Sequence, residues 1–333
     1  MAQLVNSHII DSQPKILRQH LSLCLDFLLR EVDDVIAIIL TGGYGRGEGT
    51  WLKENDAFKP YNDYDFVVVH GKNYRKLGEK LNTEELAASL GIKWVDVDIF
   101  SYSKFKKMRP SVKNYDILNG SIVIYGDPDF LKKANKISPS QISSKDLFIF
   151  YYTRAYTLLC CLPSGKVLSE INHEEMIFFR NQLAKGFLAL QDCELISDYN
   201  FYCSSYIERT KYYEEHSDNL EKVKWFNWAL KEKLDPSNNY LDLNQCHEAY
   251  ESLLSYYQID MNNFLARYFY GINITLKNFQ ILEFCKPILL IKYILSRCFS
   301  SYDYLKKERA LNHMKSILIN TWPDSQNSKE FEL

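Results

Sequence analysis

"VIAIILTGGYGRGEGT", residues 35–50, joins an apolar run to a turn that contains five glycines. The run is rich in β-branched residues, which is typical of a buried strand. Glycine adopts backbone angles that other residues avoid, and it lets the backbone approach a ligand closely. The stretch therefore predicts a strand followed by a tight turn. N–H groups in such a turn can hold phosphate oxygens, although an ordinary tight turn explains the glycines equally well.

Two common phosphate-binding motifs do not fit this turn. The dinucleotide motif G-x-G-x-x-G fails because its sixth position, counted from Gly43, is Glu48. Counted from Gly45, the sixth position is Thr50. The P-loop motif requires a lysine at the position that Glu48 occupies. Neither a dinucleotide site nor a P-loop is supported.

The next apolar run, within "YNDYDFVVVH" at 61–70, begins with Asp63 and Asp65. Side chains alternate along a strand, so both carboxylates project to the same side of the sheet. Two like charges this close repel each other unless a cation lies between them. Because carboxylate oxygens are the ligands that Mg²⁺ prefers, the pair indicates a metal site.

A later strand pattern, "WVDVDIF" at 94–100, repeats this arrangement with Asp96 and Asp98. Exposed edge strands also carry aspartates, so a single pair is compatible with ordinary protein surface. Two pairs on apolar strands that follow a Gly-Gly turn favour a shared metal site over that alternative.

The chain divides into two regions of different pattern. The first third alternates helix and strand patterns and predicts an α+β domain with a short mixed sheet, whereas the rest predicts an all-α helical bundle. The predicted strands are Val35–Leu40, Phe66–Val69, Val95–Phe100 and 121–128, with a helix between Thr83 and Gly91. The predicted boundaries are a first domain at 1–138, a helical domain at 139–322 and a flexible tail at 323–333.

Composition limits the partners and the compartment. The 333 residues carry a formal net charge of −2, which disfavours binding to long nucleic acids. None of the eight cysteines belongs to a C-x-x-C pair, and the N-terminus shows no secretory pattern. The longest apolar segment, at 287–295, is too short to cross a bilayer. A cytoplasmic protein without membrane contact is expected.

Together, "LTGGYGRGEG", "NDYDFVVV" and "VDVDIF" resemble the nucleotidyltransferases of the DNA polymerase β superfamily. Their pattern is an apolar strand, Gly-Gly or Gly-Ser, D-x-D on the next strand, and a third aspartate on a later strand. "GGYGRGEG" is most similar to the bacterial branch of minimal and aminoglycoside nucleotidyltransferases. The resemblance covers residues 35–100, with one departure: 20 positions separate Gly43 from Asp63, so "TWLKENDAFKPY" looks like an insertion.

The resemblance implies that the glycine turn binds the phosphates of a nucleoside triphosphate. Gly42 and Gly43 are the matching positions, and Tyr44 and Arg46 follow them as further phosphate contacts. For Arg46, a solvated ion pair with Glu48 is the alternative.

The resemblance also implies that the aspartates bind two Mg²⁺ ions. Asp63 and Asp65 would bind both ions, and the third aspartate would bind the catalytic ion and help to deprotonate the attacking hydroxyl. Asp98 is preferred for the third position because "VDIF" matches the apolar-Asp-apolar pattern, and Asp96 is the alternative.

The implied enzyme transfers a nucleoside monophosphate from a triphosphate, with ATP expected, to a hydroxyl of a small molecule or a protein. The helical domain would help to bind the acceptor or act as a lid. Its candidate polar residues, for each of which a solvated helix face is the favoured explanation, are Arg180, Lys185, Asp192, Tyr206 and Arg209. The second hypothesis is a catalytically silent relative that binds a partner, for instance within a toxin–antitoxin pair.

Overall fold

The computed structural model describes residues 14–54, 57–71, 81–143 and 168–270, with 146–147, 150–151, 153–154, 157–158 and 161. The predicted apolar segment at 287–295, the helical patterns beyond 270 and the predicted tail at 323–333 lie outside these residues.

The described residues form two compact units. The first comprises the chain up to Ile142 together with Asn200–Tyr212 and Lys233–Asn238. The second comprises Ser143–Tyr199, Tyr213–Glu232 and the chain from Asn239. Two segments from the helical region of the sequence therefore belong to the first unit.

Helices and strands alternate through the first unit. In chain order its elements are α1 Lys15–Glu31, β1 Val35–Thr41, α2 Gly42–Gly45, β2 Trp51–Glu54, β3 Ala57–Pro60, β4 Asp63–His70, α3 Glu84–Leu90, β5 Trp94–Ser101, α4 Tyr102–Lys106, α5 Val112–Asn119 and β6 Ile122–Tyr125. Short 3₁₀ helices follow at Phe130–Lys133 and Pro139–Gln141. All four predicted strands are present, as β1, β4, β5 and β6.

Four of these strands form one mixed sheet in the order β5-β4-β1-β6. β1 runs antiparallel to both β4 and β6, whereas β4 and β5 are parallel. The predicted α+β class with a short mixed sheet is confirmed. The segment that looked like an insertion forms a separate hairpin, in which β2 pairs with β3.

Both faces of the sheet are covered, because the central strands are apolar on both sides. On one face, alternate residues of β1 and β4 pack against α1 and α3; they include Ile38, Leu40, Phe66, Val68, Leu17, Leu21, Leu25 and Leu28. On the other face, the intervening residues pack against α4, α5 and the 3₁₀ helix at Phe130–Lys133; they include Ile39, Val67, Val69, Phe105, Ile117 and Phe130. Each buried side chain of this size contributes about 1.5–3 kcal/mol to folding.

The helix predicted between Thr83 and Gly91 forms as α3. Thr83 occupies its N-cap position, but its side chain accepts no capping hydrogen bond. Gly91 ends the helix with φ +65, the left-handed conformation that favours glycine.

The second unit is helical in its described part. Its elements are a 3₁₀ helix at Leu168–Glu170 and the helices α6 His173–Ser197, α7 Tyr206–His216, α8 Leu220–Leu234 and α9 Leu243–Tyr270, with Tyr206–Tyr212 and Lys233–Leu234 assigned to the first unit. Among the described residues, no strand follows β6. In the same residues, no helix combines the length and apolar character that a membrane crossing requires.

Candidate metal centre and glycine turn

Strand register brings the aspartates of β4 and β5 to one end of the sheet. In the parallel pair, Asp63 lies opposite Trp94 and Asp65 lies opposite Asp96. Residues paired in this way project to the same face of the sheet. Val67 and Val69 lie on the same face of β4 as Asp63 and Asp65, and they belong to the core that packs against α4 and α5. The aspartates therefore lie at the edge of that core, at the end of the sheet where β4 begins.

Asp63, Asp65 and Asp96 form an acidic cluster. Each offers one carboxylate oxygen, and the three oxygens lie within 4.8 Å of one another. All three residues are half-buried, so a bound ion could keep water ligands. Octahedral Mg²⁺ binds oxygens at about 2.0–2.1 Å, which places two of its ligands about 3–4 Å apart. The type and spacing of these donors fit a divalent cation.

Asp98, which the sequence analysis preferred as third ligand, is not part of the acidic cluster. It lies two residues further along β5, opposite Val67 rather than Asp65. Its carboxylate pairs with the Lys113 ammonium of α5 at 2.8 Å. The alternative, Asp96, is the residue that joins Asp63 and Asp65. The apolar-Asp-apolar pattern fits both positions, and only the register distinguishes them.

The glycine turn begins beside the acidic cluster because β1 is antiparallel to β4. Thr41, the last residue of β1, lies opposite Asp65. Gly42 follows with φ +65, and a Cβ built there would lie 1.9 Å from Oδ2 of Asp65. Only glycine allows both this backbone angle and this close approach. Gly42 therefore adjoins Asp65, whereas Gly43 lies against the backbone of Glu48 and Gly49.

Tyr44 lies in the core of the first unit. Its ring packs edge-on against Trp51 and Tyr64. Its hydroxyl donates to the carbonyl of Thr50 at 2.5 Å and accepts from the N–H of Tyr61 at 2.9 Å. Burial raises the pKa of this hydroxyl above its usual value. The Tyr44 side chain thus fixes the backbone segment that leads into β4. This geometry does not support a contact between the Tyr44 side chain and a phosphate.

Arg46 is also buried, with a side-chain exposure of 6%. Its guanidinium lies 3.7 Å from the Glu48 carboxylate, 3.5 Å from the Asp116 carboxylate and 4.6 Å from the centre of the Tyr206 ring. The expected pair with Glu48 therefore exists, but it is buried rather than solvated. This packing does not support the predicted phosphate contact of Arg46.

Residues 200–212 complete this charged network within the first unit. The Tyr202 hydroxyl donates to Asp116 at 3.1 Å. Arg209 is fully buried; its guanidinium lies over the rings of Tyr202 and Tyr206 and donates to the carbonyl of Cys203. Tyr206 and Arg209, proposed from sequence as acceptor contacts, thus serve the packing of this unit. No local motif marked Asp116 or Tyr202, because the two residues that contact each other lie 86 positions apart in the sequence.

The remaining candidates lie on α6 of the second unit. Arg180 is buried and donates to the Glu232 carboxylate at 3.0 Å. Asp192 is also buried, and Lys185 is half-buried. Arg180 is therefore part of an internal ion pair.

A second group of charges, also on the helices of the second unit, joins Glu194, Lys222 and Asp260. The Lys222 ammonium contacts the Glu194 carboxylate and lies 3.6 Å from that of Asp260. The Tyr213 hydroxyl donates to Glu194 at 2.6 Å. Burial, followed by hydrogen bonding to Asp260, raises the pKa of Glu194 to about 7.

No protein-family model, no curated protein and no solved structure matches this chain.

Proposed function

We propose that this protein is a Mg²⁺-dependent nucleotidyltransferase that moves a nucleoside monophosphate from a triphosphate to a hydroxyl group. The observation that carries the proposal is the acidic cluster: three carboxylate oxygens within 4.8 Å of one another, drawn from two adjacent strands. The contact between Gly42 and Asp65 adds a second element, since it sets a flexible backbone turn against the same carboxylates.

Each part of the cluster has a distinct role in the proposed reaction. Asp63 and Asp65 would hold the divalent ions, and Asp96 would be a further ligand to the catalytic ion. The backbone at Gly42 and Gly43 lies against the triphosphate. When bound, the ions would stabilise charge on the attacking and departing oxygens and lower the pKa of the acceptor hydroxyl. The remaining rate enhancement would come from positioning and electrostatics.

The reaction balances without a redox partner. The acceptor oxygen forms a bond to the α-phosphorus of the triphosphate, and the bond from that phosphorus to the bridging oxygen breaks. Pyrophosphate leaves, and the Asp96 carboxylate accepts the proton of the hydroxyl. The product is a phosphodiester that joins the acceptor to the nucleoside monophosphate.

The broader assignment follows the motifs. The order of apolar strand, Gly-Gly turn, D-x-D and later aspartate is that of the DNA polymerase β superfamily, with Asp96 in the third position. ATP is the expected nucleotide, a small molecule or a protein the expected acceptor, and the helical second unit an acceptor-binding or lid domain. A cytoplasmic enzyme fits this chemistry.

Labelling tests the proposal directly. The protein is incubated with Mg²⁺, one α-labelled triphosphate at a time, and either the small-molecule or the protein fraction of a lysate. We expect label in one fraction, abolished by EDTA and by the double variant Asp63→Asn/Asp65→Asn. Equal labelling by the wild type and the double variant would rule out the assigned site.

Measurements of metal and nucleotide binding distinguish the nucleotidyltransferase from the alternative, a catalytically silent binding protein. Mn²⁺ binding followed by electron paramagnetic resonance, and melting with Mg²⁺ plus triphosphate, require no acceptor. A ligand at 100 times its dissociation constant stabilises the folded state by about 2.7 kcal/mol. A wild type that binds neither Mn²⁺ nor triphosphate would favour the catalytically silent binding protein.

A further inference from the structure

Glu48 joins the glycine turn to the start of α7. Its carboxylate accepts hydrogen bonds from the Ser205 hydroxyl at 2.6 Å, the Tyr206 N–H at 2.8 Å and the Ile207 N–H at 3.3 Å. Its side chain is 7% exposed. Ser205 also accepts from the N–H of Glu208, so two side chains cap this helix start. One carboxylate with three donors is a far stronger link than a surface contact.

The backbone of Glu48 continues this link to the acidic cluster. Its N–H donates to the carbonyl of Gly43 at 2.8 Å. The neighbouring Gly42 touches the Asp65 carboxylate. A continuous series of contacts therefore runs from α7 through Glu48 and the two glycines to Asp65.

The charge of Glu48 is balanced inside the first unit. Arg46 lies 3.7 Å from it and 3.5 Å from Asp116, while the Arg46 guanidinium lies over the Tyr206 ring. A buried carboxylate is tolerated only with such partners. Removing the Glu48 carboxylate would release the helix start and leave the two remaining charges to rearrange.

We propose that Glu48 is a positioning residue, which holds the glycine turn against Asp65 by tying it to residues 205–207. This inference rests on the proposed function and adds a residue outside the acidic cluster to it. Five glycines make the segment 41–50 costly to order. An anchor at Glu48 fixes the turn before the triphosphate arrives, so binding need not supply that ordering.

The test compares two helix-capping glutamates. Glu175 caps α6 by accepting from the N–H of Asn172 at 2.8 Å. We expect Glu48→Ala to raise the KM for the triphosphate by roughly 10–100-fold, whereas Glu175→Ala leaves KM unchanged. Both variants lose a cap and are expected to lower the melting temperature, Glu48→Ala by more than Glu175→Ala because it also removes a buried charge beside Arg46. Glu48→Gln keeps an acceptor oxygen and recovers most of the lost affinity.

Mn²⁺ affinity provides the internal control, since all three aspartates remain in every variant. We expect it to change by less than about threefold. A loss of folded protein alone would lower the apparent kcat without changing KM, so a raised KM separates positioning from general destabilisation. An unchanged KM in Glu48→Ala, with transfer still measurable, would overturn the inference.

Failure of the proposed function gives a different pattern, in which the wild type itself transfers no label. Hydrogen exchange then decides the inference independently. The amides of Gly43 and Tyr44 are expected to exchange faster in Glu48→Ala and at the wild-type rate in Glu175→Ala. Equal exchange in all three proteins would show that Glu48 does not hold the turn.

Discussion

Two groups of charges in this protein use carboxylates in opposite ways. In the helical unit, the Lys222 ammonium lies between Glu194 and Asp260, and the Tyr213 hydroxyl adds a donor. The acidic cluster instead consists of three carboxylates whose oxygens converge to within 4.8 Å of one another. The first group contains its own cation and serves stability. The second group brings together carboxylate oxygens whose type and spacing fit a divalent cation.

The largest effect is expected from a pair of aspartates on one strand. Asp96→Asn removes a ligand of the acidic cluster, and we expect transfer to fall by about 10³-fold, or about 4 kcal/mol of transition-state stabilisation. Asp98→Asn removes only the pair with Lys113 and changes transfer by less than about threefold. Initial rates of label transfer measure both. The opposite result would restore Asp98 as the third ligand.

The second effect concerns the lysine of the helical unit. Lys222→Met leaves the buried Glu194 and the half-buried Asp260 without this cation, and we expect the free energy of unfolding to fall by about 3 kcal/mol. Lys224→Met is the matched control, because Lys224 lies on the same helix in an exposed pair with Glu248 at 3.4 Å. It should cost less than about 1 kcal/mol. Urea unfolding of both variants checks the difference, and equal costs would make Lys222 an ordinary surface lysine.

The third effect is a pH dependence. Glu194 has a pKa of about 7 in the folded state against 4.5 as the reference value. Between these values the folded protein keeps a proton on Glu194 that the unfolded chain releases, so the stability contributed by this group is greatest below about pH 4.5 and is lost as pH rises through 7. We expect this group to account for a loss of about 2 kcal/mol between pH 5 and pH 8. Urea midpoints measure it.

A matched variant isolates the group responsible. Glu194→Gln should remove that part of the pH dependence, whereas substitution of the exposed Glu174 on the same helix should preserve it. A slope that survives in Glu194→Gln would assign the titration to another residue.

The smallest effect has the opposite sign. In the metal-free protein, Asp65→Asn relieves repulsion within the acidic cluster, and we expect it to raise the free energy of unfolding by about 0.5–1 kcal/mol. Asp98→Asn, which loses an ion pair, should lower it by a few tenths. Thermal melting in EDTA compares the two. Destabilisation by Asp65→Asn would mean that the cluster contributes to the fold itself.

Local patterns in the sequence predicted the four-stranded sheet and the D-x-D pair, because both follow from alternation along a strand. They did not distinguish Asp96 from Asp98, since the choice depends on how β5 is aligned with β4. They also did not predict the burial of Arg46, whose partner Asp116 comes from a distant helix. A charged side chain in a glycine-rich turn is expected to be exposed to solvent or ligand. Its burial can be predicted only when its partner from another part of the chain is known.

The capping role of Glu48 could not be predicted for the same reason. Its partners lie 157–159 positions further along the chain. A glutamate near a glycine turn has many exposed alternatives, and no local signal favours this one. A single sequence carries little information about long-range contacts of this type.

The division of the chain has a consequence for biosynthesis. The first unit includes Asn200–Tyr212 and Lys233–Asn238. Ser237 in the second of these segments accepts a hydrogen bond from the N–H of Lys53 in the hairpin. At roughly 5–20 residues per second, a ribosome takes about 5–20 s to add residues 143–238 after Ile142 has been added. During that interval the first unit lacks these two segments. A chaperone that binds nascent chains could act on the incomplete unit at this stage.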